Sequence, residues 1–139
     1  MKLSTRFRYG TRFMIDLAMS YNAGPVAMTD ITNQERLSKK YLEQIAYRLM
    51  KAKLIKSVRG PKGGYLLTKH PQAIRLIDIY NALEKNLALV PCLKNPNVCS
   101  LSKTCAAKEF WQRLQRQIEQ YLFGCTLKSL AKLKKRQLV

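Results

Sequence analysis

The sequence predicts a mainly α-helical fold with one small β-hairpin: a winged helix-turn-helix domain followed by a long C-terminal dimerisation helix. Three observations predict it. Apolar residues recur at helical spacing through three segments before residue 52. A basic tip rich in glycine and proline, RGPKGG, then joins two short apolar runs. Beyond residue 105, a long helical segment carries apolar residues stepping by three and four.

The first helix is read over Thr5 to Tyr21, where Phe7, Met14, Leu17, Ala18 and Tyr21 share a face, and Gly24-Pro25 turns the chain. A weakly apolar helix follows over 28–35. Ser38 is a good N-cap for the next, in which Tyr41, Leu42, Ile45, Leu49 and Ala52 line one side. LIKSV and YLLTK read as two short strands around the basic tip, and Pro71 stops the second. A short helix over Ile74 to Leu83 precedes an irregular loop marked by Pro91, Asn95, Pro96 and Asn97. Thr104 is a candidate cap for a helix reaching Phe123. Gly124 breaks that helix, and Thr126 can cap a last one with a basic end. The expected organisation is therefore a winged helix-turn-helix over 1–84, with its helix-turn-helix at 28–51 and wing at 54–69. A cysteine-rich loop occupies 85–105, and a dimerisation helix with a basic segment occupies 106–139.

Twenty-six Lys and Arg stand against eight acidic residues in 139, a net charge of +18. Such a surplus suits a polyanionic partner. It is spread evenly: 15 basic and 6 acidic residues lie up to Glu84, and 11 and 2 after it, so each half carries +9. The start, with Arg6, Arg8, Arg12 and Asp16, lacks the unbroken apolar run of a signal peptide, and nothing approaches a membrane span. A cytoplasmic protein without membrane association is expected, with its cysteines reduced. Catalysis is not expected. There is no glycine-rich phosphate loop, no HExxH helix and no Ser/His/Asp set, and a single histidine supplies acid–base chemistry poorly.

The order helix, helix, helix, hairpin points to a nucleic-acid partner. SKKYLEQIAYRLMKAK is the candidate recognition helix. Its first turns present Lys39, Lys40, Glu43 and Gln44, with Ser38 before them and Arg48 further along. Glutamate accepts from a cytosine amino group, glutamine pairs with adenine, and lysine suits phosphate or guanine. Arg59 and Lys62 lie on the wing tip, where a narrow minor groove favours an inserted arginine. These residues leave a DNA regulator and a basic RNA-binding domain both open. Trp111, Leu114, Ile118 and Tyr121 form the stripe expected to pair two copies of the chain.

Three of the four cysteines, Cys92, Cys99 and Cys105, lie in VPCLKNPNVCSLSKTC. Three soft donors on one short loop suit an iron–sulfur cluster, zinc or copper(I), and spacing alone does not choose.

The segment YLEQIAYRLMKAKLIKSVRGPKGGY closely resembles the stretch shared by the IscR, NsrR and RirA family of bacterial winged-helix transcription regulators. The likeness extends loosely over nearly the whole chain, from MKLSTRFRYG to FWQRL. It implies a homodimer on partly palindromic double-stranded promoter DNA. Tyr41, Glu43 and Gln44 would lie on the recognition helix, Arg59 would be the wing arginine, and Gly63 and Gly64 would let the wing turn. It further implies that Cys92, Cys99 and Cys105 hold a 2Fe–2S or 4Fe–4S cluster, sensing iron, redox state or nitric oxide. The alternatives are a cluster-free thiol switch and a zinc-containing regulator. Two departures stand out. Arg36 occupies a turn where many members have glycine, at a cost of about 1 kcal/mol if the backbone is left-handed. Lys108 stands where one branch has a ligating histidine. Glu109, Cys125 or an exogenous group would then supply the fourth ligand, and His70 is expected on the surface.

Overall fold

A computed structural model describes residues 2–138. Helix α1 (Thr5–Met19) starts where the Ser4 hydroxyl accepts from the Phe7 amide at 3.0 Å, and it buries Phe7, Phe13, Met14 and Leu17. It stops two residues short of Tyr21, whose ring meets His70 edge-on, centroids 5.2 Å apart. Helix α2 (Met28–Glu35) ends on Arg36, which is left-handed at φ 52°, ψ 42°. Helix α3 (Lys39–Lys51) is capped as expected: the Ser38 hydroxyl accepts from the Tyr41 amide at 3.2 Å. Its buried face is Leu42, Ile45, Ala46 and Leu49. Ala52, expected on that face, is the exposed C-cap, and Ala46, one turn beyond Leu42, is buried instead.

Strands β1 (Ile55–Val58) and β2 (Gly64–Leu67) pair antiparallel, Ile55 opposite Leu67 and Val58 opposite Gly64. Both wing glycines are required by space. A Cβ at Gly63 would lie 2.2 Å from the Val58 carbonyl oxygen. At Gly64, where φ is +153°, it would lie 2.2 Å from that of Val26. Val26 and Tyr65 exchange two backbone hydrogen bonds, at 3.0 and 2.9 Å, which weld the wing to the strap before α2.

Helix α4 (Leu76–Leu83) follows a 3-10 turn at Pro71–Ala73. The cysteine segment is more ordered than the irregular loop expected of it. It contains a short helix α5 (Pro91–Lys94) and a 3-10 turn (Pro96–Val98), each opened by a proline whose fixed φ suits a first helical position. Helix α6 (Ala106–Gly124) has Cys105 at its N-cap, so Thr104 is not the cap, and no side chain caps this end. Helix α7 (Leu127–Gln137) starts from Thr126, whose hydroxyl accepts from the Ser129 amide at 3.2 Å.

Helix α1 is the hub, packing on α2, α3, α4, α7 and β2. Phe13, Met14, Ile31, Leu42, Ile45, Leu49, Ile74, Ile79, Leu83 and Leu127 are shut off from solvent around it. Each such side chain contributes about 1.5–3 kcal/mol by leaving water. The α6–α7 junction is pinned to the start of α4, since the Leu76 amide donates to the Cys125 carbonyl at 2.9 Å and that of Leu127 to Ile74 at 2.8 Å. Among the described residues, no helix is long and apolar enough to cross a membrane.

Candidate functional site

Solvent reaches the first two turns of α3 along one side. Lys39, Lys40, Glu43 and Gln44 are exposed, as is the cap Ser38, because Leu42 and Ile45 fill the opposite side. Lys39 reaches Glu43 at 4.0 Å, a loose surface pair. Tyr41 is half-buried; its hydroxyl lies 3.3 Å from the Thr5 hydroxyl and its ring meets Tyr9 edge-on at 6.1 Å. Arg48 is half-buried two turns further along. Arg59 and Lys62 stand exposed on the wing tip, where Gly60 has φ +115°. Burial, and secondarily the Glu43 carboxylate, pushes the Tyr65 phenol up. The exposed side of α3 and the wing tip are thus both polar and open to solvent.

Sequence reading missed the part played by α1. Arg8 and Arg12 flank the Tyr9 ring, with guanidinium carbons 5.7 and 5.6 Å from its centroid. Arg12 also pairs with buried Glu35, the last residue of α2. The i, i+4 spacing of the arginines puts them on one face, but only the fold sets that face beside α3.

Cys92 lies half-buried in α5, Cys99 is exposed just after the 3-10 turn, and Cys105 is half-buried at the foot of α6; none is in a disulfide. The expected convergence is not formed. Among the described residues, no three cysteine, histidine or acidic side chains are placed to hold one metal ion. Local hydrogen bonds organise the segment. The Asn95 side chain accepts from the Asn97 amide at 3.0 Å, and the Asn95 amide donates to the Pro91 carbonyl at 3.0 Å. Lys108 also ties down the loop's far limb, donating to the Ser102 carbonyl at 3.1 Å and its hydroxyl at 2.6 Å. Ser102 is buried within a segment that is otherwise largely exposed.

Among the described residues, no fourth donor is grouped with the three thiols. Glu109 pairs with Arg113 at 2.6 Å. His70 is exposed, as expected, and its Nδ1 accepts from the Gln72 amide at 3.2 Å. Cys125 sits at the other end of α6. The donor set therefore fits an iron–sulfur group in ligand type, with three thiols of the soft kind such groups take. Seating one requires the loop to rearrange.

Trp111, Leu114 and Tyr121 are exposed on α6 together with Phe110 and Phe123, whereas Ile118 turns toward its own core, where Leu122 is buried. The stripe is thus split: one edge packs at home and the other is uncovered in the single chain.

Comparison with known proteins agrees with this architecture. A family model described as "Rrf2: Iron-dependent Transcriptional regulator" matches residues 3–133. The chain is 37% identical over 131 residues to the HTH-type transcriptional regulator CymR of Bacillus subtilis, spanning 94% of this chain and 90% of that one. It is 34% identical over 130 residues to IscR of Escherichia coli, with 94% and 80% covered. The solved structure of CymR, the global cysteine regulator of B. subtilis, superposes with TM-score 0.81 at 36% identity, covering 96% and 98%. That of T. potens IscR gives 0.77 at 34%, covering 98% and 88%.

Proposed function

The chain belongs to the Rrf2 family of transcriptional regulators, and from that premise we propose a cytoplasmic homodimer that binds promoter DNA and senses iron, redox state or nitric oxide. The sensor is a labile iron–sulfur cluster, 2Fe–2S or 4Fe–4S, held by Cys92, Cys99 and Cys105. One observation carries the reading: three free thiols, Cys99 exposed and Cys92 and Cys105 half-buried, occupy the one segment that joins the first four helices and the hairpin to α6.

On the DNA side, Glu43 and Gln44 meet base edges in the major groove, while Ser38, Lys39, Lys40, Tyr41 and Arg48 position the helix on the backbone. Arg59 and Lys62 engage the flanking minor groove, and Gly63 and Gly64 shape the wing that carries them. The uncovered edge of α6, with Trp111, Leu114 and Tyr121, meets its counterpart in a second copy, and Ile118 lies at the margin.

When bound, the cluster supplies iron that reacts with oxidants and nitric oxide. The chain's own residues carry the consequence. The Leu89 amide donates to the Gln115 side chain at 3.4 Å, linking the loop to α6. At the far end, the Arg75 guanidinium donates to the Phe123 carbonyl at 2.7 Å and stacks on its ring at 4.3 Å, linking α6 to α4. Helix α4 packs on α3. A shift of the loop therefore has a contiguous route to the recognition helix.

A second reading, a cluster-free thiol switch, is favoured by the exposure of Cys99. The global cysteine regulator among the similar structures gives it a precedent in this fold. A zinc site would use the same three thiols and also lacks a fourth ligand. The test is selection of duplexes from a random library by anaerobically prepared protein, with and without an iron chelator. Enrichment of a motif with two-fold symmetry, altered by chelation, supports the proposal. A motif indifferent to chelation favours the thiol switch, and no motif at all removes the DNA-binding reading.

A further inference from the structure

Arg36 sits two residues before the cap of the recognition helix, in a backbone conformation that glycine or asparagine adopts with less strain than arginine. Its side chain is exposed and packs no core. Strain held at such a place, with no packing to compensate it, points to what the side chain brings: a positive charge at the helix-turn-helix corner.

Its surroundings extend that charge. Arg12 contacts Glu35, the residue beside Arg36, and shares the Tyr9 ring with Arg8. The same ring abuts Tyr41 in the first turn of α3, which also carries Lys39 and Lys40. Arg36, Lys39 and Lys40 lie within five residues of chain at the start of α3, and Arg8 connects to that end through the Tyr9–Tyr41 ring contact. Arg12 is neutralised by Glu35 and Lys39 loosely by Glu43. Among the described residues, Arg8, Arg36 and Lys40 have no carboxylate within 4.0 Å.

We infer that Arg36, with Arg8 joined to the same end of α3 through Tyr9 and Tyr41, is a DNA-phosphate clamp that extends the footprint of the recognition helix across the adjacent backbone. The inference rests on the DNA-binding reading above. In a helix-turn-helix the recognition helix enters the groove by its N-terminal end, so the chain just before it runs along the groove wall. Two extended residues span about 7 Å, which an arginine side chain bridges readily. A contact to phosphate carries no sequence information; it sets affinity and salt dependence.

The test uses the full-length chain with two probes, the selected duplex and a mixed-sequence duplex of equal length. Affinity is measured against salt concentration for the wild type, Arg36→Gly, Arg36→Asn and Arg8→Gln, alongside thermal midpoints. Removing one phosphate contact lowers the slope of log K against log salt by about 0.9, hence about 1.8 per dimer for each substituted position. Affinity for both probes is expected to fall roughly tenfold, equally for the two sequences. The midpoint of Arg36→Gly stays level or rises because the strained turn is relieved, so lost binding cannot be blamed on misfolding. Unchanged slopes and affinities in the Arg36 variants, with wild-type binding intact, would overturn the clamp alone. Wild-type protein that binds neither duplex would overturn the clamp together with the reading beneath it.

Discussion

Lys134, on the last helix, donates its amine hydrogen to the buried carboxylate of Asp16 on the first, 118 residues earlier in the chain. The same amine lies 3.8 Å from Glu35 at the end of α2. Two carboxylates sunk in the protein, 5% and 7% exposed, are thereby held by a cation from α7 and by Arg12 from α1. One Asp16 oxygen has no hydrogen-bond partner among the described residues, so the site depends on these cations.

Replacing Lys134 by methionine leaves the two acids without the deeper cation. A buried pair that loses one member costs about 3–5 kcal/mol, and partial access of water to Lys134 brings the expectation to about 2–3 kcal/mol. The denaturant midpoint reads it directly. In a double-mutant cycle, adding Asp16→Asn should restore part of the loss; strictly additive effects would show that the two groups do not interact.

Glu35 supplies a pH signature. Burial first, then the Asp16 charge, raises its carboxyl above the ordinary 4.5, against the pull of Arg12 and Lys134. The folded state then binds a proton that the unfolded state has released, so this contribution is complete below 4.5 and is lost as pH rises through the folded value. The stability difference between wild type and Glu35→Gln is therefore expected to shift against the wild type as pH climbs from 4.5. Parallel stability–pH curves would contradict it.

The wing offers a cleaner separation of binding from folding. Arg59→Ala removes an exposed side chain that packs no core, so the melting temperature is expected to hold. Binding to the selected duplex should weaken by about 1–3 kcal/mol. An unaltered footprint would remove the wing from the interface.

In the thiol loop, Lys108→Met breaks the two hydrogen bonds to Ser102. Amide exchange over residues 99–105 should speed up, while the global midpoint falls by no more than about 1 kcal/mol because the loop lies outside the core. Exchange equal to wild type would mean that Lys108 does not restrain the loop.

Much of this was legible in the chain itself. The wing was written in RGPKGG and the two apolar runs, and the start of α3 in Ser38, because both are local features whose chemistry acts within a few residues. The bounds of α1 and α6 slipped by one or two positions, since helix ends depend on which caps win. Thr104 lost to Cys105 for a reason no propensity records: the preceding loop sets where the backbone turns. The carboxylate site was invisible, as nothing in a run of basic residues near the C-terminus announces that one of them is aimed at Asp16. The arrangement of the three thiols was not legible, because proline-opened turns and the Lys108 contact give the loop a form that spacing does not encode.

Sensing through a cluster requires that Cys92, Cys99 and Cys105 carry an iron–sulfur group. The most direct measurement is the visible spectrum of anaerobically purified protein, with iron and acid-labile sulfide determined on the same sample and on Cys99→Ala. The expected result is a brown protein with matching iron and sulfide, and a variant depleted of both. Colourless wild-type protein containing neither, yet still gripping its duplex, would contradict the cluster and leave a regulator that senses by its thiols alone.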